Sequence, residues 1–271
     1  MKRLWLICLV LLALCISGCA SKETPSKEVQ ETKVAYEVID EGGRRHIFNE
    51  KPKRIVSLSY GTDEILTELV EANRIAAYCR WAEDSGITFI TQEQFKKVGR
   101  KTDGNAEEVL ALKPDLVLAT TAMSSDIINA LDALGLKVYL ASRPKNYEQM
   151  RQKVLKLGEA VGETAKGKAL AKQMDERMAK LEAKLSQIPD DERKTVVAFN
   201  FLSAMGRKGD LIDSMMNKAH IINGVAQIPT ELATGYISKE QVVRVNPDIF
   251  FLATWDYDNK HNVDEYVAQI K

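Results

Sequence analysis

Apolar residues recur along this chain in two alternating rhythms. Short runs bounded by turn residues, Arg54–Leu58, Ile75–Tyr78 and Val138–Ala141, read as strands buried on both faces. Between them the spacing becomes helical. Thr62–Val70 puts Ile65, Leu66 and Leu69 on one face, and Asp126–Leu134 does so with Ile127, Ile128, Leu131 and Leu134 before Gly135. Val34–Asp40 and Arg45–Phe48 flank Glu41-Gly42-Gly43 and predict a hairpin, while Val98 reads as part of a short extended piece. Tyr147, Met150, Val154, Leu157 and Val161 mark an amphipathic helix. Leu170, Met174, Met178, Leu181, Leu185 and Ile188 mark a longer one over Glu163–Gln187, about 37 Å at the standard rise. Its polar face is crowded with Lys and Glu, the pattern of a solvated side. Thr195–Phe201 opens a second half as a strand. Leu211–Ile222 is expected to be helical and to stop at Asn223-Gly224, and Asp264–Ile270 reads as one more helix. The alternation predicts an α/β fold with mostly parallel sheets in two lobes joined by one long α-helix.

One stretch is written twice. Asn105–Ala119 and Ser238–Ala253 share a capping residue, a glutamate two positions on (Glu107, Glu240), and Pro-Asp (Pro114-Asp115, Pro247-Asp248), each pair 133 positions apart. Each copy predicts a capped short helix, a proline that ends it and biases the preceding residue toward extended geometry, and a buried strand.

Composition narrows the class. With 271 residues and 45% hydrophobic content, the chain can bury one or two cores. Lys2 and Arg3 precede 13 almost wholly apolar residues, Leu4–Ile16, and then Ser17-Gly18-Cys19. That is a signal peptide, shorter than the roughly 20 residues a spanning helix needs. Ile16-Ser17-Gly18-Cys19 resembles a bacterial lipobox, which implies cleavage after residue 18 and a lipid on Cys19. With Lys2 and Arg3 gone, basic side chains fall two short of the 38 acidic ones, a balance that argues against nucleic acid as partner. Cys8 and Cys15 leave with the signal, so no internal disulfide is expected and Cys79 reads as a small buried hydrophobe. Residues 19–33 are polar and without periodicity, a tether that would hold the folded part on the order of 20 Å from a bilayer.

Arg54-Ile-Val-Ser-Leu-Ser-Tyr-Gly-Thr-Asp-Glu-Ile-Leu66, then Val98-Gly99, Asn105–Ala119 and Ser238–Asp248 together resemble the lipoprotein substrate-binding components of ABC importers. The branch is the one that carries ferric siderophores, haem or vitamin B12. The resemblance spans about Val34 to Lys271 and implies an N-terminal lobe over 34–145, bridging helices over 146–192 and a second lobe over 193–271. Family members usually continue past this chain's end, so further strands are expected beyond Lys271. It also implies a ligand cleft between the lobes, no enzymatic activity and a permease dimer with ATPase subunits as partner. The protein itself is expected to act as a monomer. Glu107 and Glu240 match the family's permease-docking glutamates; a bland alternative is that each complements its helix dipole.

The cleft should be lined by loops after strand C-termini. By position these offer Tyr60, Arg80, Trp81, Arg100 and Arg143 in the first lobe, and Asn200, Tyr236, Trp255 and Tyr257 in the second. Aromatic faces bury flat ligands and arginines pair with anionic groups. Vitamin B12 carriers tend to have a tryptophan where this chain has Arg100-Lys101-Thr102-Asp103, so a ferric siderophore is favoured over cobalamin and haem. No cofactor is expected beyond the lipid on Cys19. Two readings of other classes stay open, a metal-ion binder and a ligand-sensing lipoprotein without transport. The first is weakened because His46, His220 and His261 lie in three distant contexts, His46 in the hairpin where a surface histidine is the default. A hydrolase is excluded by the lack of Gly-x-Ser-x-Gly, and glycine loops for phosphate are absent.

Overall fold

The computed structural model describes residues 36–199, 204–229 and 239–252, with single positions 264 and 268. Two sheets form. In the first, parallel strands β3 (Ile55–Ser57), β4 (Ile75–Cys79), β5 (Lys101–Thr102), β6 (Leu116–Thr120) and β7 (Val138–Ala141) stand in the order β5-β4-β3-β6-β7. A hairpin of β1 (Tyr36–Ile39) and β2 (Arg45–Phe48) precedes them. In the second sheet β8 (Thr195–Phe199) is flanked in parallel by β10 (Ile222–Asn223) and β11 (Ile249–Leu252), and β9 (Ala204–Met205) pairs antiparallel to it.

β6 is buried along its whole length because helices cover both faces of the sheet. Leu116 and Leu118 pack in one apolar cluster with α1 (Tyr60–Leu69), while Val117 and Ala119 pack in another with α3 (Ala106–Ala111) and α4 (Ser125–Ala133). The first cluster takes in Val154, Leu157 and Ala160 of α5 (Tyr147–Ala160) and Ala171 of α6 (Thr164–Leu185). These two helices cross tightly, since a Cβ on Gly158 would stand 2.9 Å from the Cα of Gly167. The first half of α6 therefore belongs to the first lobe. Its far end meets the second lobe through Lys218 of α7 (Leu211–Lys218), which pairs with Glu182 at 3.2 Å and Glu148 at 3.5 Å.

The duplicated stretch is duplicated in space. α3 and α8 (Lys239–Val245) each stop at a residue with left-handed φ, Lys113 at 50° and Asn246 at 49°, and then run through Pro-Asp into β6 and β11. The expected extended geometry before each proline is thus replaced by a left-handed helix stop. The aspartates explain the motif. The Asp115 amide donates to the Arg54 carbonyl at 3.0 Å, and its carboxylate accepts from the amides of Lys53 and Arg54 at 2.6 and 2.9 Å. Asp248 does the same at the head of β8, donating to the Thr195 carbonyl at 2.8 Å and accepting from its amide at 2.7 Å. Each carboxylate pins the start of the central strand to the strand beside it.

Three expectations are corrected. Val98 is not extended: it ends α2 (Gln92–Val98), which opens on a Thr91–Gln94 capping box and closes on left-handed Gly99. α7 ends at Lys218, with left-handed His220 beyond it, because Ile222–Asn223 leaves to pair with Thr195–Val196. His46 is buried, not a surface residue, and bonds Asp40 at 3.0 Å. Against burial, which alone would raise it, hydrogen bonds from His46, the amides of Arg44 and Leu140 and the Arg44 guanidinium hold the Asp40 carboxyl down at about 2; it also accepts from the Gly42 amide, and the Leu140 bond locks the hairpin onto β7. The predicted Asp264–Ile270 helix lies outside the described residues save for positions 264 and 268.

Replacing Asp115 by Ala removes the acceptor from two strand-edge amides and should destabilise the first lobe by about 1–3 kcal/mol. A urea midpoint unchanged from wild type would show that the carboxylate does not pin the strand.

Candidate functional site

All five strands of the first sheet end on the same edge, so their following residues gather there irrespective of distance in sequence. β3 leads to Tyr60, 49% exposed at the head of α1. β4 leads to Arg80 and half-buried Trp81, with the guanidinium 4.5 Å from the indole centroid. β7 leads to Ser142 and exposed Arg143. Arg100 departs from the expected position: it precedes β5 on the sheet's outer flank, where its carbonyl accepts the Tyr78 amide at 3.1 Å. The cause is α2, which takes up the residues read as extended. None of these three arginines pairs with a carboxylate among the described residues, which leaves their charge available to an anion. Glu107 and Glu240 are exposed, each the second residue of its helix in the repeat, on α3 and α8. Asn200, Tyr236, Trp255, Tyr257 and Cys19 lie outside the described residues.

Three residues escaped the sequence reading. Phe89 is 93% exposed in the turn after β4, with its amide held by Glu64 of α1 at 3.0 Å. Beneath the edge, Asp63 of α1 is fully buried: one oxygen accepts the Cys79 amide at 3.1 Å and the other has no partner. Burial pushes its carboxyl up to about 7. Burial, with Asp63 beside it, also raises the Cys79 thiol, which is inert as expected. The Ser57 and Thr62 hydroxyls lie 2.7 Å apart in the same layer. Finally, Lys153 of α5 is buried behind α1, and desolvation lowers its ammonium to about 8. Asp63 and Lys153 each break a hydrophobic face at helical spacing, the one signal that could have marked them.

A cavity of about 460 Å³ opens elsewhere, lined by Tyr36, Lys51, Glu159, Gly162 and Thr164. It sits where the strands begin, beside the Lys51–Glu163–Arg74 ion pairs, and takes no part in the edge described above. No group of three His, Cys, Asp or Glu side chains among the described residues is placed to hold a metal ion. No helix among them is long and apolar enough to cross a membrane.

Two lobes on mostly parallel sheets, a long helix reaching from one to the other, and a cationic, aromatic strand edge define a two-lobe binding protein. The chain matches the model described as "Periplasmic binding protein" over residues 55–269 and belongs to that family. It is 28% identical to an uncharacterised ABC transporter substrate-binding lipoprotein of Bacillus subtilis, over 89% of this chain and 77% of the relative. It is 24% identical to the Fe(3+)-citrate-binding protein of the same organism, over 95% of this chain and 80% of the relative. Among solved structures, the apo periplasmic haem-binding protein of Roseiflexus sp. RS-1 superposes with a TM-score of 0.65 at 19% identity, covering 80% of this chain and 82% of that one. The last likeness is one of fold.

Asp63 gives a pH signature. An unfolded aspartate releases its proton near pH 4, the folded one near 7, so stability falls as pH rises between those values and levels off above. Asp63→Asn should remove that loss, so its melting temperature relative to wild type should climb from pH 4.5 to 7.5. Parallel pH curves for the two proteins would contradict the buried neutral carboxyl.

Proposed function

We propose that this protein is the substrate-binding lipoprotein of an ABC importer. Exported and held by a lipid on Cys19 to the extracytoplasmic face of the bacterial membrane, it captures a ferric chelate between its lobes and delivers it to a permease dimer with its ATPase subunits. The observation that carries this reading is the strand edge that bears Tyr60, Arg80–Trp81 and Arg143, where neither arginine is paired with a carboxylate among the described residues. Flat aromatic faces and unpaired guanidinium groups suit a bulky anionic complex. Asn200, Tyr236, Trp255 and Tyr257 of the second lobe, 193–271, would close the cleft from the other side. A relative named for Fe(3+) citrate supports an iron complex. Haem, with its carboxylates, and then cobalamin are the alternatives.

Delivery needs a docking face. Glu107 and Glu240 occupy the same place in the two copies of one motif, and a pseudo-symmetric acidic pair suits a two-fold permease. Such exposed pairs add only about 0–1 kcal/mol each but orient the encounter.

The candidate ligands are coloured. Mixed separately with a ferric siderophore, haem and cobalamin, the purified protein should carry the iron chelate's visible absorbance through gel filtration. Retention of none of them would end the carrier reading. Trp81→Ala should weaken the retained ligand by about 1–3 kcal/mol if the ring is buried against it. Glu107→Ala with Glu240→Ala should leave ligand affinity unchanged and abolish uptake by cells, and wild-type uptake by the double variant would remove the docking role.

A further inference from the structure

Lys153 is 5% exposed, yet no hydrogen bond or ion pair among the described residues engages its ammonium. An isolated buried charge is expensive to keep unless something else uses it. Its surroundings show what could. Nζ stands 3.6 Å from where a Cβ on Gly61 would sit, and nothing else outside that helix's own turn comes within 4 Å of the point. Gly61 is the second residue of the ten-residue helix α1 and has no left-handed φ, so its backbone does not require glycine. Alanine there would favour the helix by about 1 kcal/mol. The glycine leaves the ammonium within contact distance of the helix's first turn, with no side chain between them.

The helix end adds a second attraction. Ser59 makes no side-chain cap, and the amides of Thr62 and Asp63 turn back to the Ser59 carbonyl, which leaves those of Tyr60 and Gly61 unclaimed. A cation beside a helix N-terminus has the wrong sign for the dipole, and an anion between them is favoured by both. The nearby carboxylates Glu64 and Asp63 act on the ammonium through space without hydrogen-bonding to it. Glu64 holds the Phe89 amide, Asp63 holds the Cys79 amide, and Glu41, lining the same recess as Ser142, is paired with Lys156 at 2.6 Å.

We infer that the Lys153 ammonium and the open first turn of α1 form a subsite for an anionic oxygen of the ligand, a carboxylate reached over Gly61. This rests on the chelate-carrier reading above and narrows it. The cargo carries a free carboxylate, as ferric citrate and haem do, whereas the amide side chains of cobalamin offer none.

The test uses the mature chain with ferric citrate, haem and cyanocobalamin as probes, in wild type, Lys153→Met and Gly61→Val. Each variant should weaken ferric citrate about 10- to 100-fold, the range for a hydrogen bond to a charged group. If the wild type retains haem instead, its affinity should fall likewise. Lys153→Met should also raise the melting temperature without ligand, because it removes an unpartnered buried charge; a structural lysine would lower it. Unchanged affinity in both variants overturns the subsite and leaves the carrier standing, and so does retention of cyanocobalamin alone if both variants bind it as wild type does, since its phosphodiester also carries an anionic oxygen. If none of these probes and no ferric siderophore is retained, the carrier reading falls. The subsite is then decided by whether metal-free citrate raises the melting temperature of wild type but not of Lys153→Met, and no rise in wild type overturns it too.

Discussion

The architecture depends on two carboxylates that hold backbone amides. A parallel strand pair has no tight turn to set its register, so the alignment of β3 with β6 and of β8 with β11 must be fixed another way. Asp115 and Asp248 do it by closing a two-way hydrogen-bonded ring with the residue that begins the central strand, Arg54 in one lobe and Thr195 in the other. The left-handed stops at Lys113 and Asn246 aim each aspartate, and the prolines between keep the helix from running on. Slipping either strand by one residue would turn Val117 or Phe250 to the opposite face of its sheet.

With register fixed where the strands begin, the chemistry collects where they end. Successive parallel strands all deliver their next residues to one edge, and helices start there with amides outward. Tyr60, Trp81 and Arg143 come from three separate stretches and meet only through this rule. The same edge also carries the buried Asp63 with one idle oxygen and the buried Lys153, whose ammonium makes no hydrogen bond among the described residues. Elsewhere buried charge is met in full: Asp40 accepts three amides, a guanidinium and an imidazole.

Much of the fold could be read without coordinates, because local chemistry announces itself. The repeat, the strand at Val138–Ala141 and the paired helices before and after Gly162 are set by periodicity and caps within a few residues. Helix α2 carried equally plain marks, Thr91 with Gln94 before it and Gly99 after it, and was passed over because its single buried residue, Phe95, makes no stripe. β10 could not be read locally at all. Two residues extend only because β8 offers an open edge to Ile222 and Asn223. In the site, residues that follow strands were legible as a class; Arg100 was displaced by the misread helix.

The sequence alone determined the rhythm of strands and helices, the twofold motif and the chemistry of the exposed strand ends, since each depends on neighbours within a few positions. Only the tertiary structure decided that His46 is an interior partner of Asp40, that the Pro-Asp carboxylates bind a strand about 60 residues upstream in one lobe and about 50 in the other, and that Lys153 ends against Gly61. The reason is that burial and partnership of a polar group are set by whichever segment packs against it. That segment is chosen by the sheet order, which no local pattern encodes.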